Sequence, residues 1–203
     1  MNIHTTLVLG THNQHKKKEV AKILAPWRIT LQNLADYPSA LEVPETGSTF
    51  SENARQKASV QAKHLSTWVL AEDSGLAVDA LGGQPGVFSA RYSGEGANDI
   101  KNNSKLLENL KNVPPEKRTA KYVCHFSLSD PSGNIRAESE AYCYGRILLS
   151  PEGNNGFGYD PLFEIIEYHR PFGILSPELK SLISHRARAL RALIPDLVTI
   201  FSE

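Results

Sequence analysis

The chain has 203 residues, 40% apolar and 22% charged, which excludes disorder, collagen and coiled coil and fits one domain over 1–203. Lys plus Arg number 22 and Asp plus Glu also 22, and the zero net charge disfavours a general nucleic-acid binder. No apolar run is long enough for a bilayer, Met1-Asn2-Ile3-His4 lacks the pattern of a signal peptide, and two cysteines, Cys124 and Cys143, make neither a disulfide framework nor a zinc quartet.

A soluble cytoplasmic protein is therefore expected. Residues 5–10 read as a buried strand, followed by a helix over 13–25 with Val20, Ile23 and Leu24 on one face and Pro26 ending it. Residues 28–34 read as a second strand and 41–48 as a loop. Thr49-Phe50-Ser51-Glu52 has the form of a capping box, and the helix it opens puts Phe50, Ala54, Ala58, Ala62 and Leu65 on one stripe. A short strand over 68–71 precedes an irregular, Gly-rich 75–96 with a strand or turn near 76–81. A helix over 97–111 places Ile100, Leu107 and Leu110 together. Ala120, Tyr122, Cys124, Phe126 and Leu128 alternate as a strand, a turn follows at 130–134, and 135–148 returns as its partner. A loop over 153–161 holds three glycines, Ser176-Pro177 opens a last helix, and Pro195 is expected to end or kink it. Strands alternating with helices imply an α/β fold with a mixed sheet.

Four places break local rules. Thr11, His12, Asn13, Gln14, His15 and Lys16 lead three lysines into a helix start, where partial positive charge disfavours cations and favours an anion such as phosphate. A solvated basic turn reads equally well. Glu72 and Asp73 end an apolar strand, and such carboxylates suit Mg²⁺, with Glu45 a further ligand; a loop-fixing turn is the plainer reading. Phe157, Gly158, Tyr159 and Asp160 lie among glycines that let backbone and ring approach a ligand, although an aromatic plug for the sheet is slightly favoured. In the last helix Leu179, Leu182, Ile183 and Leu190 form an apolar stripe into which Arg186 projects, flanked by Lys180 and His185. A buried guanidinium needs a partner, and the basic run Arg170, Lys180, Arg186, Arg188 and Arg191 against Glu178 favours an anionic ligand over an internal acid.

Together these segments resemble the inosine triphosphate pyrophosphatase family, which acts on non-standard purine triphosphates. T-x-N-x-x-K stands at 11–16, E-T-G-x-T-F-x-E-N-A-x-x-K-A at 45–58, and D-S-G-L-x-V-D-A-L-G-G-x-P-G-V-x-S-A-R-Y at 73–92. G-F-G-Y-D-P-x-F follows at 156–163 and K-x-x-I-S-H-R at 180–186, so the match runs from residue 7 to about 192. The resemblance implies cleavage of ITP, dITP or XTP to monophosphate and pyrophosphate. It further implies Mg²⁺, a homodimer, and an elongated mixed sheet flanked by helices in two lobes with the active-site cleft between them. By the same resemblance Thr11, Asn13 and Lys16 hold the triphosphate, with His12, Gln14 and His15 in the same loop. Glu45 and Asp73 sit at the metal, Asp73 is the base, and Ser74 contacts the nucleotide. The 157–160 segment forms the base pocket, closed by Lys180, His185 and Arg186. The chain departs from the family at His12 and His15, where glycines are common, at Glu72, often Asp, and at Pro171 and Ile174, usually Thr and Glu.

Two other classes compete. A binding module without catalysis has no need for Asp73 and Glu45, and an RNA binder on the basic last helix conflicts with zero net charge.

Overall fold

The computed structural model describes residues 6–27 and 29–202. The expected strand starts at Thr5 and Arg28, and the Met1-Asn2-Ile3-His4 leader, lie outside the described residues. Among the described residues seven strands form one mixed sheet in the order β2-β1-β3-β4-β5-β6-β7. They are β1 (Thr6–Leu9), β2 (Thr30–Asn33), β3 (Val69–Val78), β4 (Thr119–Ser129), β5 (Ile135–Ile147), β6 (Phe163–Ile165) and β7 (Arg170–Pro171). β1 runs parallel to β2 and β3, whereas β5-β6 and β6-β7 are antiparallel. The helices are α1 (Gln14–Leu24), α2 (Phe50–Leu65), α3 (Asp99–Asn109), α4 (Pro177–Ile183) and α5 (His185–Ser202).

The chain divides into two compact units, residues 1–73, 124–141 and 186–203, and residues 74–123 and 142–185. Each has its own core. In the first, Val20, Ile23 and Leu24 of α1 and Leu190, Leu193 and Leu197 of α5 pack with Leu7, Leu9, Leu70 and Phe126. In the second, Leu106, Tyr122, Phe163 and Phe172 are central. The α2 capping box forms as expected, with Thr49 and Glu52 exchanging bonds, and Ala54, Ala58 and Ala62 are fully buried.

Four expectations need correction. β3 does not stop at Ala71 but continues to Val78, so Glu72 and Asp73 lie within a strand. Their position is still an edge of pairing, because the β1 register ends at Leu9↔Leu70 and both acids fall just beyond it. Ligands gather there in parallel sheets. The last helix is two helices: Ser184 adopts an extended backbone between them, and Leu182 of the expected stripe is 58% exposed. Pro195 ends nothing, since α5 runs through it to Ser202. Burial of Leu193, Ile194 and Leu197 on both sides of the proline offsets the lost backbone bond. Ile100 is exposed, because the buried stripe of α3 runs through Asn102 and Leu106, and two residues amount to about 200° of rotation.

Candidate active site

In the first unit Thr11, His12, Lys16, Glu45 and Lys57 line a cavity of about 180 Å³. β1 delivers its first wall and α1 its lysine. The start of α1 is capped from within the chain. Asn13 caps it, its Oδ1 accepting from the N–H of His15 at 2.9 Å and of Lys16 at 3.3 Å, while Thr11 Oγ1 accepts from Asn13 N–H at 3.1 Å. His12, Asn13, Gln14 and His15 are exposed.

The acids form the centre. Asp73 is 6% exposed and receives Asn53 Nδ2 at 3.0 Å on one oxygen and Lys57 Nζ at 3.2 Å on the other. The same ammonium reaches Glu45 Oε1 at 2.6 Å. Burial raises the Asp73 pKa above the ordinary aspartate value; Lys57 opposes that and Glu45 adds to it. Burial would lower Lys57, but Asp73 and Glu45 outweigh it and hold the ammonium charged.

Glu72 behaves differently. Burial would raise it, yet Arg186 and Lys16 outweigh burial and keep it ionised well below the usual carboxylate range. Lys16 Nζ stands 2.8 Å and Arg186 Nε 3.2 Å from Glu72 Oε1, and Cys124 donates its S–H to Oε2 at 3.4 Å. Arg186 Nη1 also meets Glu19 Oε2 at 2.6 Å. Arg186 is thus buried with carboxylate partners, an internal answer where the sequence favoured an anionic ligand. Cys124 and Cys143 are buried free thiols, as their alternating strands imply.

In the second unit the 153–161 loop, α4 and β4 build one buried ion pair. Asp160 pairs with Lys180, and accepts from Phe157 N–H at 2.8 Å and Tyr122 OH at 3.4 Å. The Lys180 ammonium lies over the Phe157 ring at 4.5 Å and Phe172 at 5.6 Å. His185 stacks on Tyr122, centroids 4.6 Å apart and planes 9° from parallel. Burial and Asp160 push the Tyr122 hydroxyl up, so it stays a donor. Gly156 is required: its φ is +81°, and a Cβ there would stand 1.9 Å from Asp160 Oδ2. Gly158 N–H donates to Asp99, and its carbonyl accepts from Asn103, which fixes the backbone between Phe157 and Tyr159. Tyr159 OH donates to Ser89 O at 2.8 Å. Ser74 follows Asp73 on β3, half-buried.

Sequence reasoning gave no role to Asn53, Lys57 or Glu19. For the first two a signal was present: they stand four apart on α2, beside the buried alanine stripe, so both face inward. Glu19 is four residues before Ile23 in the buried stripe of α1, and nothing local distinguishes it from a surface acid.

Residues 7–196 match the model of the Ham1 family. A Rhodopirellula baltica protein named dITP/XTP pyrophosphatase is 52% identical over 200 residues, 98% of this chain and 96% of that protein. One of the same name from Geobacter sulfurreducens is 50% identical over 192 residues, 95% and 96% of the two chains. Among solved structures, a HAM1 protein from Coxiella burnetii superposes with a TM-score of 0.88 at 36% identity, covering 96% of this chain and 99% of that one.

Proposed function

This chain belongs to the Ham1 family, and from that premise we propose that it hydrolyses ITP, dITP and XTP to the monophosphate and pyrophosphate. The relatives named dITP/XTP pyrophosphatases support the substrate class. The observation that carries the chemistry is Asp73, a buried carboxylate with raised proton affinity, sharing Lys57 with a second acid at the wall of a cavity.

The donor set fits Mg²⁺. Glu45 and Asp73 already converge on one positive charge, the Lys57 ammonium, and Mg²⁺ takes one or two carboxylates beside phosphate oxygens. Held by these two acids, it would neutralise charge developing on the phosphates as the anhydride breaks. Asp73 takes the proton of the attacking water, whose oxygen bonds to phosphorus as the α–β bridging bond breaks. Asn53, donating its Nδ2 at 3.0 Å, fixes the plane of the Asp73 carboxylate. Lys16 gives its charge to the polyphosphate, with Thr11, His12, Asn13, Gln14 and His15 completing that loop.

Ser74 is assigned to the nucleotide, and Phe157, Gly158, Tyr159, Asp160, Lys180 and His185 to the purine. Arg186 is the donor to a 6-oxo group, since guanidinium has no acceptor; Glu72 sets its plane and Glu19 is the partner it exchanges.

A homodimer is part of the proposal, and it rests on the family resemblance. No described helix is long and apolar enough to cross a membrane, and two free thiols suit the reducing cytoplasm we assign to it. The test is pyrophosphate release with Mg²⁺ from dITP, XTP and ITP beside the four standard triphosphates. The first three are expected to turn over fastest, and equal rates on all seven would overturn the substrate class.

A further inference from the structure

Glu45 lies on residues 39–49, a stretch with neither helix nor strand. Irregular backbone keeps one shape only if its polar groups are bonded, and here α2 supplies the partners. His64 Nε2 lies 2.6 Å from Ser39 O. Gln61 donates Nε2 to Leu41 O at 2.6 Å and accepts Leu41 N–H on Oε1 at 3.1 Å. Lys57 holds the Glu45 carboxylate. Asn53 Oδ1 accepts from Gly47 N–H at 2.8 Å, and Glu52 from Ser48 N–H at 2.7 Å. Residues 53, 57, 61 and 64 are spaced four, four and three apart, one stripe of a helix. The loop approaches that stripe so closely that a Cβ on Gly47 would stand 2.6 Å from Glu52 Cβ.

Within the stripe Gln61 differs from its neighbours. Asn53 and Lys57 also bond Asp73, whereas both bonds of the Gln61 amide go to the backbone of one residue, the N–H and the C=O of Leu41. Gln61 is 1% exposed. Glu45 therefore hangs between two anchors, Leu41 four residues before it and Gly47 two residues after. We propose that Gln61 is a positioning residue, acting on Glu45 through the backbone of this loop; the proposal rests on the pyrophosphatase reading above. With the Leu41 anchor gone, the loop is held to α2 on one side of Glu45 less firmly, while the Gly47 anchor and the Lys57 contact stay.

The test is Gln61→Met, which keeps the side-chain length and removes both bonds. The half-saturating Mg²⁺ concentration should rise about tenfold, the low end of what supporting residues of a metal ligand cost. Turnover at saturating Mg²⁺ should stay within roughly two-fold. In a Glu45→Gln background the same change should add nothing, because both act through one group. Hydrogen exchange of the metal-free protein should quicken in 39–49 and not in β3. Gln61→Glu keeps the bond from Leu41 N–H, covers the case in which the methionine variant does not fold, and should fall between the two. An unchanged Mg²⁺ dependence, or an equal loss in the Glu45→Gln background, would overturn the proposal. Failure of the wild type to cleave any nucleotide would instead sink the pyrophosphatase reading, while exchange in 39–49 would still report whether Gln61 holds the loop.

Discussion

The two groups of functional side chains handle charge in opposite ways. In the first unit Glu19, Glu45, Glu72 and Asp73 face Lys16, Lys57 and Arg186, and each of those cations touches at least one acid that another cation or amide also touches. In the second unit one pair, Asp160 and Lys180, is walled by Phe157, Phe172 and Tyr122. A shared network can trade one partner for a substrate group, whereas removing one member of a buried ion pair leaves the other without its counter-charge. The first arrangement suits chemistry in which charge moves, and the second a pocket of fixed shape.

The largest expected effect separates them by readout. Asp73→Asn should lower turnover by about 10²–10⁴-fold, the range of general acid–base catalysis, with little change in melting temperature. Near-normal turnover would remove the base from the first group. In the second unit Lys180→Met should show in stability as well as in nucleotide binding. It strands the Asp160 carboxylate and should cost about 3–5 kcal/mol of stability, read by denaturant unfolding. A loss below 1 kcal/mol would show that water reaches the pair.

Arg186→Met tests whether the network really trades partners. Adenine presents a donor at position 6 where hypoxanthine presents an acceptor, and a buried unpaired donor costs about 1–3 kcal/mol, or roughly ten- to hundredfold. The ITP/ATP ratio of kcat/KM should fall towards one, mainly through loss on ITP. An unchanged ratio would leave Arg186 as a clamp for Glu72 and Glu19 alone.

The smallest effect is a matter of sign. In the metal-free protein Asp73 titrates above the ordinary aspartate value, with burial the main cause, Lys57 pulling it down and Glu45 pushing it up. Carboxyl NMR should therefore show its pKa rising in Lys57→Met and falling in Glu45→Gln. Shifts of the same sign would mean that the two residues do not act on Asp73 by their charge.

Legibility followed the range of the interactions. The α2 capping box and the β4 strand form as the sequence implies, but the alternation of β4 does not mark one wet face, since every residue from Tyr122 to Ser129 is buried. The break at Ser184 is not local. From 176 to 202 the residues keep helical periodicity, and only the separate cores of the two units, with Ile183 in one and Ala187 in the other, show why the helix stops and restarts. β3 runs past its expected end because Glu72 and Asp73, which look like a stop after an apolar strand, are stabilised by cations on α1, α2 and α5. The family-like motif blocks name Asp73 and Glu45, and only the folded chain shows that Lys57 joins them.

The most direct measurement is ³¹P NMR of the products from dITP with Mg²⁺, run on the wild type and on Asp73→Asn. The account predicts dIMP and pyrophosphate from the wild type, with neither dIDP nor orthophosphate, and an almost unconsumed substrate with the variant. Orthophosphate and dIDP from the wild type would place cleavage at the wrong anhydride and contradict it.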